Sequence, residues 1–293
     1  MSPAAPGAPS IGCLRLADPL GLEIVRRALA EDCADNDVTA RLLGRAAALP
    51  SRMAFIVEEP CVVAGVPVIA TVYGELDRSV AVTARVPEGS FVEAGTTIAD
   101  ADGPAGVLVS GERVALNFLQ RLCGIATRTR EAVDRVAGTR ARITHTRKTT
   151  PALRALEIYA VQQGGGVLNR LSLADQVLWK DNHWALAAKG GLSLAEALRA
   201  VPAGMDVVVE VETEAQLAEA LAAKVPHLLI DNQTPERLRE WISRAGGGVT
   251  IQASGGITAE TARAYAEAGA HLLAIGALTH SARAVSIRCE AKI

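Results

Sequence analysis

The strongest constraint on how this chain folds is a pattern that repeats through its second half. Short apolar runs of the kind that form buried parallel strands recur there, and a stretch with helical periodicity follows each of them. The runs cover residues 141–145, 176–179, 207–211, 227–230, 249–253 and 272–275. Because strands that alternate with helices form parallel sheets with the helices outside, this pattern predicts a β/α barrel.

Capping signals mark where several of the helices are expected to begin. Thr150-Pro151 and Thr234-Pro235 each place a hydroxyl before a first-turn proline. Thr213 and Gln216 have the spacing of a capping box, in which two side chains satisfy free amides at the start of a helix. These signals predict helices that begin directly after them.

The first half of the chain has a different pattern. Residues 19–34 carry apolar positions close to a 3.6-residue period, which predicts a helix. Residues 52–109 contain short β-branched runs broken by Gly and Pro, which predict a small antiparallel or mixed β domain. Residues 111–136 predict one or two helices that bridge the halves. We therefore expect a flexible tail at residues 1–15, an N-terminal α/β domain with its bridging helix at 16–128, and a barrel catalytic domain at 129–293.

The composition excludes several classes of protein. The formal net charge is −2 and the basic residues do not form runs, which argues against nucleic-acid binding. The five cysteines include no Cys-x-x-Cys pair, a usage typical of the reducing cytoplasm. No apolar run approaches the roughly 18 residues of a membrane helix. We therefore expect a cytoplasmic protein without a membrane segment.

Polar residues stand where the predicted barrel strands end. In β/α barrels the loops after the carboxyl ends of the strands form the active site. A single such residue at a strand end is usually a solvated loop residue, but here polar or charged residues follow five strands. They are Arg147 and Lys148, Lys180, Glu210 and Glu212, Asp231, and Ser254-Gly255-Gly256.

The chemistry of these residues indicates anion binding. Ser254, Gly255 and Gly256 follow a strand and are expected to open a helix, whose first amides would hold a phosphate, with Gly276 after the next strand. A plain tight turn is the alternative. The cations Arg147, Lys148, Arg170 and Lys180 suit carboxylates and phosphates.

Glu210 and Asp231 stand on adjacent predicted strands. Their carboxylates would hold Mg²⁺ or ribose hydroxyls, or stabilise a developing positive charge. The alternative is that they only pair with Arg147 and Lys180. Because no zinc cluster, Ser/His/Asp arrangement or dinucleotide fingerprint is evident, the prediction is a phosphorylated, Mg²⁺-binding substrate held beside a carboxylate-bearing one.

Long motifs in this sequence resemble the quinolinate phosphoribosyltransferase family, also called carboxylating nicotinate-nucleotide pyrophosphorylases. The resemblance is collinear from about Leu20 to Ser281. The motifs that carry it are residues 111–127, 146–151, 180–183, 229–232, 253–257 and 276–281.

The resemblance implies a type II phosphoribosyltransferase fold, which is an N-terminal α/β sandwich domain followed by an open six- or seven-stranded β/α barrel. It also implies a homodimer with its sites at the subunit interface, and Mg²⁺-dependent transfer of phosphoribosyl from phosphoribosyl pyrophosphate to quinolinate, with loss of CO₂, giving nicotinate mononucleotide for NAD biosynthesis.

Residue roles follow from the same resemblance. It implies that catalysis involves Lys148, Glu210 and Asp231, with the last two also attending Mg²⁺, directly or indirectly. It implies that the substrates are bound by Arg147, Lys148, Asn169, Arg170 and Lys180, with Arg113 arriving from the partner subunit. The 5′-phosphate is then expected to lie against Ser254, Gly255, Gly256 and Gly276.

The chain departs from the family pattern at four positions. Asn169 in Leu168-Asn169-Arg170 replaces a histidine that contacts quinolinate, Ile158 a lysine, Gln252 a glutamate, and Ser286 an aspartate. Three of these positions are expected in or next to the barrel mouth. They leave two alternatives open, which are a related transferase acting on another aromatic acid and a non-catalytic relative that binds phosphoribosyl pyrophosphate.

Overall fold

The computed structural model describes residues 19–292. These residues form two compact units, each made of several chain segments. The first unit contains the residues up to Cys123, residues 151–160 and those from Ala284 onward. The second contains residues 124–150 and 161–283. The tail predicted at residues 1–15 lies outside the described residues.

The first unit contains an antiparallel sheet, as expected from the β-branched runs. Its four strands lie in the order β12-β1-β5-β3, and a separate two-stranded sheet pairs β2 with β4. The strands are β1 (Pro50–Val57), β2 (Cys61–Val62), β3 (Ala81–Ala84), β4 (Phe91–Val92), β5 (Thr97–Pro104) and β12 (Ile287–Lys292).

The strand β12 joins the end of the chain to this sheet. It pairs antiparallel with β1, with Phe55 opposite Cys289. The middle of β1 is therefore paired on both sides, since β5 occupies its other edge. The residues Ala54 to Val57 of β1 are buried, which agrees with a central strand.

Helices α1 (Pro19–Glu31), α2 (Val38–Arg41) and α3 (Val66–Leu76) complete the first part of the chain, with short 3₁₀ turns at Ala34–Asn36 and Gly44–Ala48. The predicted helix 19–34 therefore ends three residues early. The bridging segment is one helix, α4 (Ala105–Arg135), which starts six residues before the predicted range. In the first unit Tyr73 packs edge-on against Phe55, with ring centroids 6.5 Å apart, and its hydroxyl donates to the carbonyl of Leu108 at 3.0 Å.

The second unit contains the predicted parallel sheet. Its six strands lie in the order β6-β11-β10-β9-β8-β7. Of these six strands, the first along the chain (β6) thus pairs with the last (β11), as in a barrel, while β6 and β7 form the two ends of the sheet. The strands are β6 (Arg142–Thr144), β7 (Val177–Trp179), β8 (Val207–Val211), β9 (His227–Asp231), β10 (Thr250–Ser254) and β11 (Leu272–Ala274). The prediction of an open β/α barrel is confirmed, and each predicted run contains its strand to within one residue.

Helices follow these strands, although two of the predicted starts are wrong. The remaining helices are α5 (Arg154–Gln163), α6 (Asp181–Gly190), α7 (Leu194–Leu198), α8 (Glu214–Ala222), α9 (Pro235–Ala245), α10 (Ala262–Ala268) and α11 (Ala277–His280). Thr213 and Thr234 cap α8 and α9 as predicted. Thr150-Pro151 does not begin a helix, because the chain turns with a left-handed Ala152 (φ 66°) and α5 starts at Arg154. The loop at Ser254-Gly255-Gly256 is likewise separated from α10, which begins at Ala262.

None of the helices among residues 19–292 is both long and apolar enough to cross a membrane.

A run of glycines, Gly164 to Gly166, leads from α5 toward the barrel mouth and lies close to the end of α4. A Cβ placed on Gly164 would lie 2.5 Å from the carbonyl oxygen of Ala126 and 2.5 Å from the Cβ of Thr129. Both atoms belong to α4. Because the carbonyl oxygen of Ala126 is a backbone atom, α4 cannot move aside cheaply. A residue without a side chain is therefore required at this contact.

We predict that Gly164→Ala lowers the free energy of unfolding by about 1–3 kcal/mol, the usual cost of inserting a methyl group into a packed interior. Gly190→Ala is the matched control, because a Cβ there meets nothing within 4 Å. That change should be neutral or stabilising by roughly 0.4–1 kcal/mol. Urea denaturation followed by circular dichroism measures both, and equal stability of the two variants would contradict the prediction.

Candidate active site

A large pocket of about 860 Å³ opens at the carboxyl ends of the parallel strands in the second unit. All six strands, β6 to β11, reach it with residues at or just beyond their ends. The residues that line it are Thr146, Arg147, Lys148, Asn169, Arg170, Leu173, Gln176, Val177, Leu178, Lys180, Asp181, His183, Glu210, Glu212, Leu229, Asp231, Asn232, Gln252, Ser254 and Ala274.

Two arginines form a cationic side of this pocket. Burial, and next the charge of Arg147, lowers the pKa of Arg170. The Nε atom of Arg147 is buried and has no hydrogen-bond partner among the described residues. No ion pair to a carboxylate is found for either guanidinium in the part of the chain that the structure describes. These two neighbouring cations therefore suit an anionic ligand that carries more than one acceptor oxygen.

Two lysines extend the cationic surface. Lys148 follows β6, and its carbonyl accepts a hydrogen bond from the hydroxyl of Thr279 at 2.8 Å. Lys180 immediately precedes α6, and its amide donates to Nδ1 of His183 at 3.1 Å. Its ammonium group lies 3.5 Å from the carboxylate of Asp181. The backbone at both lysines is thus fixed by hydrogen bonds, which hold the start of each side chain at the pocket wall.

A cluster of carboxylates also lines the pocket. Glu210, Glu212 and Asp231 each present one carboxylate oxygen, and these three oxygens lie within 4.8 Å of one another. Burial, followed by the charges of Asp231 and Asp181, raises the pKa of Glu210 to about 7, although Lys180 opposes the shift. The cluster has the oxygen ligands that Mg²⁺ prefers.

Asn232 links the acidic cluster to the glycine loop. Its backbone is left-handed (φ 54°), and its side-chain Nδ2 donates to the Asp231 carboxylate at 2.7 Å. Gly255, which also has a positive φ of 87°, lies so close to Asn232 that a Cβ would collide with its side chain and backbone. The two loops therefore pack directly together, and only glycine fits at position 255.

The predicted phosphate loop is placed partly as expected. Ser254 lines the pocket, whereas Gly255, Gly256 and Gly276 are not among the lining residues. Gly276 precedes α11, and a Cβ there would lie 3.3 Å from Cδ of Lys148. The expectation that a helix opens directly at Gly256 is wrong, because five residues separate Gly256 from α10. Any phosphate held at this loop would meet turn amides, not the first turn of that helix.

Asn169 lines the pocket, but its side chain is occupied by local hydrogen bonds. Its Oδ1 accepts from the amide of Arg170 at 2.9 Å, and its Nδ2 donates to the carbonyl of His145 at 3.4 Å. The Asn169 amide in turn donates to Nε2 of His145 at 2.9 Å. The side chain thus holds the backbone that carries Arg170.

The other three departures from the family pattern lie in different places. Gln252 lines the pocket and is 2% exposed. Ile158 is fully buried in α5, within the segment assigned to the first unit, and does not line the pocket. The hydroxyl of Ser286 donates to the carboxylate of Glu58 at 2.6 Å in the same unit. Two of the four departures, Asn169 and Gln252, therefore line the pocket.

Most of the predicted site residues come together in this pocket. Eight of them line it, namely Arg147, Lys148, Asn169, Arg170, Lys180, Glu210, Asp231 and Ser254. Arg113 does not; it lies exposed on α4, in the segment assigned to the first unit. Asp181, His183 and Asn232 also line the pocket, and all three belong to motifs that the sequence displays. The sequence did not predict Leu173 and Gln176 as lining residues, because nothing in their local sequence distinguishes them from ordinary loop residues.

Comparison with known proteins gives a consistent result across the chain. Residues 37–123 match the family described as "Quinolinate phosphoribosyl transferase, N-terminal domain", and residues 125–290 match the corresponding C-terminal domain. The chain is 40% identical over 275 residues to the nicotinate-nucleotide pyrophosphorylase [carboxylating] of Mycobacterium leprae, which covers 90% of this chain and 95% of that protein.

Two further relatives extend the similarity. The probable nicotinate-nucleotide pyrophosphorylase [carboxylating] of Bacillus subtilis is 41% identical over 229 residues, which is 78% of each chain. The solved nicotinate-nucleotide pyrophosphorylase from Francisella tularensis superposes with a TM-score of 0.87 at 29% identity, covering 96% of this chain and 99% of that one.

We predict that Asp231→Asn lowers the pKa of Glu210 from about 7 toward its ordinary 4.5, because it removes the second-largest cause of the upward shift while burial remains. A ¹³C NMR titration of the labelled glutamate carboxyls measures this, with Glu210→Gln to assign the signal. Asp206→Asn is the control, since Asp206 does not line the pocket. An unchanged Glu210 pKa in Asp231→Asn would show that the two carboxylates do not interact.

Proposed function

The chain belongs to the quinolinate phosphoribosyltransferase family, and from that premise we propose that it makes nicotinate mononucleotide from quinolinate and phosphoribosyl pyrophosphate. The pyridine nitrogen forms a bond to C1 of the ribose, and pyrophosphate leaves with the electrons of the C1–O bond. The adduct then loses CO₂, and a proton takes its place on the ring. The observation that carries this proposal is one pocket that is lined both by arginines and lysines and by a cluster of carboxylates.

The two arginines of the pocket suit the acceptor acid. Quinolinate carries two adjacent carboxylates, and Arg147 and Arg170 are two neighbouring cations without carboxylate partners among residues 19–292. Guanidinium groups hold carboxylates through two parallel hydrogen bonds, which fixes orientation as well as position. In this proposal the two arginines orient the ring so that its nitrogen faces the ribose. Asn169 assists by holding the backbone at Arg170.

The cluster of carboxylates suits the reacting ribose. Departure of pyrophosphate leaves positive charge on C1 and its ring oxygen, and fixed carboxylates stabilise that charge without having to reorganise. Glu210 and Asp231 are proposed for this task, because they stand on adjacent strands and their oxygens lie within 4.8 Å of each other. Lys148 and Lys180 are proposed to hold the negative charge of the departing pyrophosphate.

The three carboxylates also fit a magnesium ion, which prefers oxygen ligands and keeps several waters. Glu210 and Asp231, joined by Glu212, would hold it. When bound, Mg²⁺ neutralises charge on pyrophosphate oxygens. Burial raises the pKa of Glu210 to about 7, so that this carboxyl is not fully ionised at neutral pH. A cation bound nearby would favour its ionised form.

The loop Ser254-Gly255-Gly256 and Gly276 are proposed to hold the 5′-phosphate of the ribose. This is supported by the positive φ of Gly255 and Gly256, which lets turn amides converge in a way that side chains would prevent. Gly276 also lies against the stem of Lys148, which would bring a cation to the same phosphate.

We further propose a homodimer in which Arg113 of one subunit completes the pocket of the other. The exposed position of Arg113 on α4 and its absence from the pocket lining of its own chain support this. The alternatives of a different aromatic acid and a non-catalytic relative are not favoured, because the relatives described above carry the name of the quinolinate reaction.

We expect purified protein, given quinolinate, phosphoribosyl pyrophosphate and Mg²⁺, to release nicotinate mononucleotide, CO₂ and pyrophosphate in equal amounts. Chromatography of the nucleotide and capture of ¹⁴CO₂ from carboxyl-labelled quinolinate measure this. Chelation of Mg²⁺ should stop turnover, and adding the metal back should restore it. Absence of nucleotide at saturating substrate would refute the proposal.

We expect Arg170→Lys to lower kcat/KM for quinolinate by about 10- to 100-fold, the effect of losing charge-assisted bonds that a lysine cannot replace in pairs. Arg199→Lys is the matched control, because that arginine is 75% exposed and lies outside the pocket. The assay varies quinolinate at saturating phosphoribosyl pyrophosphate. Equal values for the two variants would remove Arg170 from the acid site.

A further inference from the structure

The edge strand β7 ends one residue before it could pair with Glu210 of β8. The last pair between β7 and β8 is Trp179 opposite Val209. The amide of Val177 donates to the carbonyl of Asp206 at 2.9 Å, so the carbonyl of Asp206 faces β7. Because alternate residues of a parallel strand face the same neighbour, the carbonyls of Val208 and Glu210 also face that side. The next donor on β7 would be the amide of Asp181, but there the chain has already turned into α6.

The indole of Trp184 takes the place of the missing strand partner. Trp184 lies in the first turns of α6, and its Nε1–H donates to the carbonyl of Glu210 at 2.8 Å. The distance is that of a good N–H···O bond. The backbone of β8 is thus held on its outer side at the residue that carries the candidate catalytic carboxylate.

A second tryptophan, Trp179, packs against the ring of Trp184. The ring of Trp179 lies 5.9 Å from that of Trp184 at an interplanar angle of 86°, an edge-to-face arrangement. Trp179 also lies 5.7 Å from the ring of His183, which caps the start of α6. Unlike Trp184, Trp179 has a buried Nε1 without a hydrogen-bond partner among residues 19–292. Two adjacent indoles are therefore packed together, and only one of them bonds β8.

We propose that Trp184 is a positioning residue for Glu210, holding the backbone of this residue through the indole N–H so that its carboxylate stays in the pocket that Lys180 also lines. The inference rests on the proposed function, because it takes Glu210 as a participant in the reaction. Lys180 immediately precedes α6 and Glu210 lies on β8, and both line the pocket. One hydrogen bond from α6 to β8 therefore fixes a cation and a carboxylate relative to each other.

The hydrogen bond can be tested without any substrate. Glu210-Val211 is the one Glu-Val dipeptide in the sequence, so protein labelled with ¹³C′-glutamate and ¹⁵N-valine gives a single HNCO cross-peak. In Trp184→Phe the ring remains but the donor is lost, and the Glu210 carbonyl carbon should move upfield. Trp179→Phe is the matched control, because its indole N–H makes no bond to β8, and its cross-peak should stay near the wild-type position. Equal carbonyl shifts in the two variants would overturn the contact.

The consequence for the reaction is tested by steady-state kinetics. Trp184→Phe should lower kcat about 3- to 10-fold, the effect of one neutral hydrogen bond, while KM for quinolinate stays unchanged. Trp179→Phe should keep the wild-type kcat. A Trp184→Phe protein with a shifted carbonyl signal and wild-type kcat would refute the positioning role and leave the proposed function intact.

Failure of the proposed function and failure of the variant to fold can each be distinguished from failure of this proposal. If the wild-type protein makes no nucleotide, the proposed function fails, but the carbonyl measurement still decides the contact. If Trp184→Phe does not fold, perdeuterated wild-type protein replaces it. Scalar coupling between ¹⁵Nε1 of Trp184 and ¹³C′ of Glu210 is then expected across the hydrogen bond, and its absence would overturn the proposal.

Discussion

In-register pairing of the parallel strands is the constraint on which the rest of the second unit depends. Asp231 lies opposite Ser254, and Glu210 lies opposite Leu229, two residues before Asp231. Because parallel strands end at the same edge, residues that are some twenty positions apart in the chain come together at one mouth. A slip of one residue in any of these strands would turn its polar side chain to the other face of the sheet.

Charges of like sign lie next to each other in the pocket. Arg147 and Arg170 are adjacent cations, and the pKa of Arg170 is lowered by burial and by that neighbour. Glu210 shows the converse, with a pKa raised to about 7 by burial and by Asp231. Pairing each cation with a carboxylate would relieve both shifts. The unrelieved charges are what an enzyme needs in order to bind one substrate by its anions and to stabilise positive charge on another.

Close backbone contacts and edge contacts hold this arrangement. Gly164 approaches α4 where no side chain would fit, and Gly255 approaches Asn232 in the same way. At the open edge of the sheet Trp184 supplies a hydrogen bond in place of a strand. Rigid support of this kind keeps catalytic groups in place where the regular ladder has ended.

The sequence by itself determined the parallel strands to within a residue, the capped starts of α8 and α9, and eight of the residues that line the pocket. These are local properties, because apolar periodicity, caps and strand-end polarity depend on neighbours in the chain. Only the tertiary structure decided that β12 returns to the first sheet, that the glycine loop stands apart from α10, and that Trp184 bonds Glu210. Each of these depends on contacts between distant segments, where backbone direction and packing override local propensity, and no pattern within a single stretch of residues records them.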